Sequence, residues 1–133
     1  MMLVDSNVLI DLVTNDPVWA EWSQTKLETA ARSGPVFIND VVYAEVSAGY
    51  SAIELFEAVL AAAQLTVDPI PREALFRAGK VFQVYRRSGG SRTGVLPDFF
   101  IGAHAAARGW PLLTRDARRY RAYFPNLEIV SPD

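Results

Sequence analysis

The chain has 133 residues, half of them hydrophobic and 21% charged, which is enough to fold as one domain over residues 1–133 around its own core. It contains no cysteine and a single histidine, His104, which excludes disulfides, thiolate metal sites and zinc sites built on several imidazoles. No apolar run approaches the roughly 20 residues that cross a bilayer, and residues 1–7 lack the positive region of a signal peptide, so we expect a soluble cytoplasmic protein.

The formal net charge of −2 hides an uneven distribution of charge along the chain. Residues 1–66 carry nine acidic and two basic residues, whereas residues 67–133 carry six acidic and eleven basic ones, ten of which are arginine. Arginine suits phosphate because its planar fork donates two hydrogen bonds at once. The second half therefore presents either a solvated basic face or a surface for an anionic partner, while the slightly acidic total argues against a nonspecific DNA coat.

Hydrophobic patterning predicts strands that alternate with helices. In the first half we predict, in chain order, a strand over 1–4, helices over 8–13 and 17–32, a strand over 36–38, helices over 41–48 and 52–64, and a strand over 65–67. In the second half we predict a helix over 71–87, a flexible loop over 88–94, a helix over 97–108, a strand over 112–114, a short helix over 116–122, and a strand over 128–130.

This alternation predicts the fold class. Strands separated by helices pair in parallel through right-handed crossovers, and these strands are short and apolar on both faces, as a doubly covered sheet requires. We therefore predict a single α/β domain, a three-layer α/β/α sandwich with a mostly parallel sheet of four to five short strands. Ligands of such sheets bind beyond the carboxyl ends of the strands, so the residues there are candidates for a functional site.

Four acidic residues stand at predicted strand ends or in predicted helices: Asp5, Glu45, Asp98 and Asp116. Each has a structural explanation, because an acid that caps a helix or lies in its first turn stabilises it by ~0.3–1 kcal/mol, and Glu45 can face solvent. If the four converge, neighbours near 5 Å repel by roughly 3 kcal/mol at an effective dielectric of 20, which capping does not offset. Convergence would require protonation, solvent or cations, and oxygen ligands select Mg²⁺ or Mn²⁺, which polarise phosphate and activate water.

Four segments, in this order, resemble the motifs of PIN-domain ribonucleases, and in particular of VapC-type toxins from bacterial type II toxin–antitoxin pairs. They are residues 3–10, where an apolar strand precedes Asp, Ser and Asn, then 39–45, 96–105 and 112–116. The resemblance covers essentially the whole chain and implies a PIN-like fold. It also implies that Asp5, Glu45, Asp98 and Asp116 form the catalytic acidic quartet that holds the metal. Asp5 and Asp98 would be the surest ligands, and Asp116 can bind through water.

The resemblance extends to supporting positions. Asn7 and Thr114 match polar residues that would orient the carboxylates or the attacking water, although both also suit turns or caps. Gly102, one turn after Asp98, departs from the commonest motif, and its missing side chain either leaves room for substrate or allows close packing. His104 is interpreted as a packed or surface residue. The candidates to hold RNA phosphates are Arg86, Arg87, Arg92 and Arg115, with the loop over 88–94 either closing over RNA or simply exposed.

The function that follows is a Mg²⁺-dependent endoribonuclease, with Mn²⁺ as an alternative, that acts as the toxin of a toxin–antitoxin pair. Its expected partners are an RNA substrate and a small cognate antitoxin, whose tail fills a groove and reaches the acidic site, and the expected assembly is a homodimer. Val18, Trp19 and Trp22 could anchor such a partner or pack into the core.

Three other classes are weighed against this one. A catalytically silent PIN-like RNA-binding module would keep the fold without the chemistry. A haloacid-dehalogenase-like phosphatase usually has a second acid two residues after the first, where this chain has Asn7. A receiver domain needs a lysine late in the sheet, and the lysines here are Lys26 and Lys80. Metal-dependent cleavage of RNA, or a shift of RNA without cleavage, would distinguish these classes.

Overall fold

The computed structural model describes residues 1–92 and 94–132. Thr93, in the predicted loop over 88–94, and Asp133, the last residue of the predicted domain, lie outside the described residues. Along the chain the elements are β1 (Met2–Val4), α1 (Ser6–Val13), α2 (Ala20–Ser33), β2 (Val36–Ile38), α3 (Asp40–Ser47), α4 (Ile53–Ala62), β3 (Leu65–Val67), α5 (Arg72–Arg87), α6 (Leu96–Arg108), β4 (Leu112–Leu113), α7 (Arg118–Tyr123) and β5 (Ile129–Val130).

The five strands form one sheet in the order β3-β2-β1-β4-β5, and every neighbouring pair is parallel. The predicted α/β sandwich with a parallel sheet is therefore confirmed. The chain steps outward from β1 to β2 and β3, then returns to the other side of β1 for β4 and β5. The right-handed rule for crossovers assigns α1–α4 to one face of the sheet and α5–α7 to the other. This reversal makes the carboxyl end of β1 the topological switch point, where such sheets bind ligands.

Polar side chains decide where several helices begin. The Asp5 carboxylate accepts a hydrogen bond from the backbone N–H of Ser6 and caps α1, and Asn39 accepts one from Val42 and caps α3. The helix predicted to start at Pro17 starts instead at Ala20. Asp16 accounts for this difference, because its carboxylate accepts hydrogen bonds from the backbone N–H groups of residues 18 and 19 and holds them in a turn.

The centre of the sheet is fully apolar. Its largest contributors have no exposed surface, among them Leu3, Ile38, Leu112 and Leu113. The alternation typical of half-buried strands is absent because helices cover both faces. None of the helices in the described residues combines the length and apolarity that crossing a membrane requires.

His104 is a packed residue, as one of the two interpretations of the sequence has it, and it joins α6 to the ends of β2 and β3. Its Nε2 lies 2.7 Å from an Asp68 oxygen and its Nδ1 lies 3.2 Å from the Asn39 amide nitrogen. Because the Asn39 oxygen already accepts from Val42, the amide nitrogen must donate to Nδ1, and the ring proton is left on Nε2. Burial lowers the pKa of His104, which favours this neutral form.

Gly102 allows a close approach between α6 and the end of α7. A Cβ built on Gly102 would lie 2.5 Å from the nearest ring carbon of Phe124, a residue that is 1% exposed. Phe124 therefore fills the space that the glycine leaves, and the interpretation that this space receives substrate is wrong. The other interpretation, close packing, describes the contact.

We expect Gly102→Ala to lower the free energy of unfolding by about 1–3 kcal/mol, because the added methyl group overpacks against Phe124. Gly79→Ala is the matched control, since Gly79 also lies in a helix but has no atom within 4 Å of its added Cβ. The control should raise stability by about 0.5–1 kcal/mol through helix propensity. Urea denaturation measures both, and equal effects of the two substitutions would contradict the packing account.

Candidate active site

Asp5 is the centre of a polar site at the carboxyl end of β1. Its side chain is 4% exposed, yet both oxygens have donors. One oxygen accepts from the backbone N–H of Ser6 at 2.8 Å, and the other accepts from the hydroxyls of Thr114 at 2.8 Å and Tyr120 at 2.9 Å. Burial nevertheless raises the pKa of Asp5 to about 6, and the negative charge of Asp98 adds to this shift. The site therefore holds a carboxylate whose charge is incompletely compensated.

Asp98 is the second acid of the site and comes from the first turn of α6. It is half-buried, and burial raises its pKa. The guanidinium of Arg119 on α7 pairs with one of its oxygens and opposes this rise, whereas the charge of Asp116 adds to it. Asp5 and Asp98, which are 93 positions apart in sequence, are thus electrostatic neighbours, an arrangement that the resemblance to PIN-domain ribonucleases implies.

Thr114 and Asn7 connect the acids to one another. The Thr114 hydroxyl donates to Asp5 and accepts from the Asn7 amide at 3.2 Å and from the backbone N–H of Asp116 at 3.2 Å. The Asn7 oxygen accepts from the backbone N–H of Arg115 at 3.1 Å. Both residues lie where the sequence analysis placed them, and their hydrogen bonds fix the end of β1 against the segment that follows β4.

Glu45 and Asp116 lie at the periphery of the site and are exposed. Glu45 reaches the centre through Ser6, whose hydroxyl donates to it at 2.7 Å and lies 3.4 Å from an Asp5 oxygen. Over residues 1–92 and 94–132, no group of three or more His, Cys, Asp or Glu side chains is placed to hold a metal ion as it stands. The quartet implied by the resemblance is therefore an inner pair, the buried Asp5 and the half-buried Asp98, with two exposed outer acids, and its metal-binding role stays a prediction.

Tyr120 and Arg119 are site residues that the sequence analysis did not identify. Tyr120 is 2% exposed, and burial and the charge of Asp5 raise the pKa of its hydroxyl well above the usual value, so that it acts as a donor. Both residues lie on α7, which has six residues of mixed basic and aromatic character. The only signal in the sequence was the large number of arginines in the second half of the chain, which does not indicate which of them faces an acid.

Arg115, a candidate for phosphate binding, is paired within the protein. Its guanidinium donates to both oxygens of Asp11, at 2.8 and 2.9 Å, and lies 5.5 Å from the ring centroid of Trp19. Asp11 is 1% exposed and also accepts from Ser23. Because both oxygens of a buried carboxylate bind its guanidinium, Arg115 is not free to hold an RNA phosphate.

The other arginine candidates differ in position. Arg86 and Arg87 are exposed at the end of α5, and Arg86 lies 5.9 Å from the Phe82 ring centroid. Arg92 lines a cavity together with Asp116 and two arginines of α7. Arg92 is therefore the candidate from the sequence that lies beside the acids.

Comparison with known proteins gives the family. The model of the PIN domain matches residues 2–125. No curated protein sequence matches the chain.

Several solved structures share the fold over nearly the whole chain. VapBC2 from Rickettsia felis, bound to a DNA fragment from its promoter, is 20% identical with a TM-score of 0.74 and covers 99% of this chain and 98% of its own. A toxin–antitoxin complex from Klebsiella pneumoniae is 24% identical with a TM-score of 0.69, with coverages of 100% and 98%. DNA-bound VapBC from Salmonella typhimurium is 22% identical with a TM-score of 0.67, with coverages of 98% and 96%. The neighbours agree with the family model in fold, and the chain belongs to the PIN domain family.

Proposed function

We propose that this chain is a Mg²⁺-dependent endoribonuclease and the toxin of a toxin–antitoxin pair. The observation that carries the proposal is the pairing of Asp5 and Asp98 at the switch point of a PIN fold. Two half-compensated carboxylates at the ligand-binding edge of a parallel sheet are suited to a hard cation and a phosphate. Membership of the PIN family argues against the haloacid-dehalogenase-like and receiver alternatives.

The donor set fits a divalent cation in both atom type and charge. The charged ligands that the site offers are carboxylates, and such hard oxygen ligands select Mg²⁺ or Mn²⁺ over softer ions. The pKa of Asp5 is raised, so a cation beside it would relieve charge that its hydrogen bonds leave uncompensated. At Asp98 this compensation comes from Arg119, so that arginine must give way for a metal to be held there.

In this mechanism the side chains of the chain hold the acids in position, and a bound cation would activate the phosphodiester and the attacking water. Thr114 and Tyr120 hold Asp5 in one orientation through two hydroxyl donors, and Ser6 places Glu45 toward the same centre. Asp5 and Asp98 would hold the ion, with Glu45 and Asp116 completing the charge. When bound, the ion supplies Lewis acidity, which polarises the phosphodiester and lowers the pKa of the attacking water.

We expect Asp5→Asn and Asp98→Asn each to reduce RNA cleavage by more than the roughly 10- to 100-fold that follows loss of a supporting contact. The amide keeps the shape of the side chain but removes the charge that would bind the cation. Cleavage of a labelled single-stranded RNA with Mg²⁺, and with EDTA as the blank, measures the effect, and circular dichroism monitors the fold.

Asp40→Asn is the matched control for these variants, since Asp40 is an exposed acid in the first turn of α3. It should cleave like the wild type. Full activity of Asp5→Asn or Asp98→Asn would remove that residue from the mechanism. The second candidate function is the silent RNA-binding module, and the ion pair between Arg119 and Asp98 supports it. Binding of RNA by a wild type that does not cleave it would favour this module.

The ion pair at Asp98 generates a prediction about metal affinity. Arg119→Ala should bind Mn²⁺ about fivefold more tightly than the wild type, because the ion no longer competes with a guanidinium worth about 1 kcal/mol. Isothermal titration calorimetry measures this without reference to activity. Arg118→Ala removes the same charge one residue away, without the contact to Asp98, and should change affinity less. Equal or weaker binding by Arg119→Ala would show that Arg119 does not compete with the metal.

We also propose that the chain forms a homodimer and binds a small antitoxin. The support is that the similar Rickettsia and Salmonella structures are VapBC complexes and the Klebsiella one is a toxin–antitoxin complex. On this chain Val18 is 73% exposed, next to Trp19 and Trp22, which are half-buried and pack edge to face at 6.2 Å. A basic side chain of the antitoxin would enter the acidic site and take the place of the metal charge.

The antitoxin proposal is tested by expressing the chain together with the product of any short reading frame found next to its gene. We expect a stable complex that does not cleave RNA, and Val18→Asp should weaken it because the substitution places a charge at an apolar contact. Val84→Asp, at an exposed valine of α5, is the control for added charge. Copurification and cleavage are measured together, and a complex that keeps full RNA cleavage would contradict insertion into the site.

A further inference from the structure

A cavity of about 560 Å³ lies beside the acidic pair. Three arginines line it, and they come from two separate segments. Arg92 belongs to the loop after α5, while Arg118 and Arg119 are consecutive on α7. The rest of the lining consists of Asp116, Ala122 and Tyr123. The cavity is therefore more positive than the neighbouring acidic centre, although one acid contributes to it.

Two of the three guanidinium groups have no carboxylate partner in the part of the chain that the structure describes. The ion pairs there join His104 and Arg108 to Asp68, Arg115 to Asp11, and Arg119 to Asp98. Arg92 and Arg118 are exposed and take part in none of them. Unpaired arginines are common on surfaces, but here two of them face one recess together with a third that already contacts the site.

Arg119 makes the cavity continuous with the acidic centre. The same side chain that lines the cavity pairs with Asp98, which is the electrostatic neighbour of Asp5. An anion bound in the cavity would therefore lie next to the acids. If one group bound in the cavity and another at the acids, a short linker would be enough to join them. Successive phosphates of a nucleic acid strand are joined in this way.

The loop that carries Arg92 is anchored. The backbone N–H of Arg92 donates to the Tyr85 hydroxyl at 3.1 Å, and the Tyr85 ring packs edge to face on Tyr123 and Phe99 with centroids 6.2 and 5.8 Å away. Gly90 lies against the same ring, where an added Cβ would be 2.4 Å from it. A hydrogen bond from its own backbone thus positions Arg92 beside the cavity. This lowers the entropic cost of ordering the loop when a ligand binds.

We propose that this cavity is a phosphate subsite for single-stranded RNA, in which Arg92 and Arg118 hold the phosphate next to the one that is cleaved. The inference rests on the proposed ribonuclease function and adds the place where the strand binds. Arginine donates two hydrogen bonds to a phosphate in one plane, and a recess lined with arginines suits a single strand that tracks through it. Asp116 lines the same cavity, and its charge also acts on Asp98.

The test measures binding of a fluorescein-labelled 12-nucleotide single-stranded RNA by anisotropy, in EDTA so that the RNA stays intact. Arg92→Ala and Arg118→Ala should each weaken binding several-fold. For a single strand, one neutralised phosphate contributes about 0.7 to the slope of log K against log salt concentration. The double variant, which leaves this phosphate without a partner, should therefore lose about 0.7 of slope, and each single variant should lose less. Both side chains are exposed, so their removal should leave the fold intact.

Arg32→Ala is the matched control. Arg32 lies at the end of α2, just before β2 begins, and therefore near the amino ends of the strands, opposite the candidate site. It should change neither affinity nor slope. Inorganic phosphate, added at constant ionic strength, distinguishes a strand from a free anion. Retention of the RNA supports the subsite, and displacement at the concentration expected for a simple anion site overturns it.

Failure of this inference is distinguishable from failure of the proposed function. If the wild type cleaves RNA with Mg²⁺ while Arg92→Ala and Arg118→Ala bind RNA like the wild type, the subsite is overturned and the ribonuclease stands. If both variants lose affinity and slope but the wild type cleaves no RNA, the subsite is supported as an RNA-binding site and the ribonuclease proposal fails.

Discussion

The organisation of this protein depends on keeping one carboxylate buried at the end of β1. Asp5 has almost no contact with solvent, and a backbone N–H and two hydroxyls replace the water it has lost. Hydrogen bonds to a charged group contribute about 1.5–3 kcal/mol each, but here they do not restore the ordinary pKa. Under the proposed function this residual charge would attract the cation, and the donors around Asp5 hold the carboxylate in one orientation.

The topology of the sheet explains why the acids meet at this point. Because β1 lies between β2 and β4, helices from both halves of the chain can approach its carboxyl end. Asp98 arrives on α6, and Thr114 follows β4 directly. The acidic first half and the arginine-rich second half of the sequence therefore meet at the carboxyl ends of the strands. The local charge there is mixed, unlike the charge of either half.

Much of the fold was predictable because short apolar runs between helical patterns allow few arrangements. The five strands and the parallel sheet followed from the apolar pattern, whereas the grouping of Asp5 with Asp98 came only from the resemblance to a known family. What could not be predicted were pairings over long distances, since a charge pattern does not show which groups meet. Arg115 looked available for phosphate until Asp11, 104 positions earlier, proved to bind it, and Arg119 looked like one of several surface arginines. Similarly, no local signal placed Phe124 against Gly102.

Asp5 has one task in the fold and a second under the proposed function, and the two depend on different properties of its side chain. As the N-cap of α1 it needs only an oxygen that accepts from Ser6, whereas toward a cation it needs its negative charge. Asparagine supplies the first and lacks the second, and it is among the best N-cap residues. Under the proposed function, one nucleotide change from Asp to Asn would therefore remove the charge that binds the cation and leave the helix start in place. A single substitution would then separate the nuclease from an inactive binding protein with the same fold.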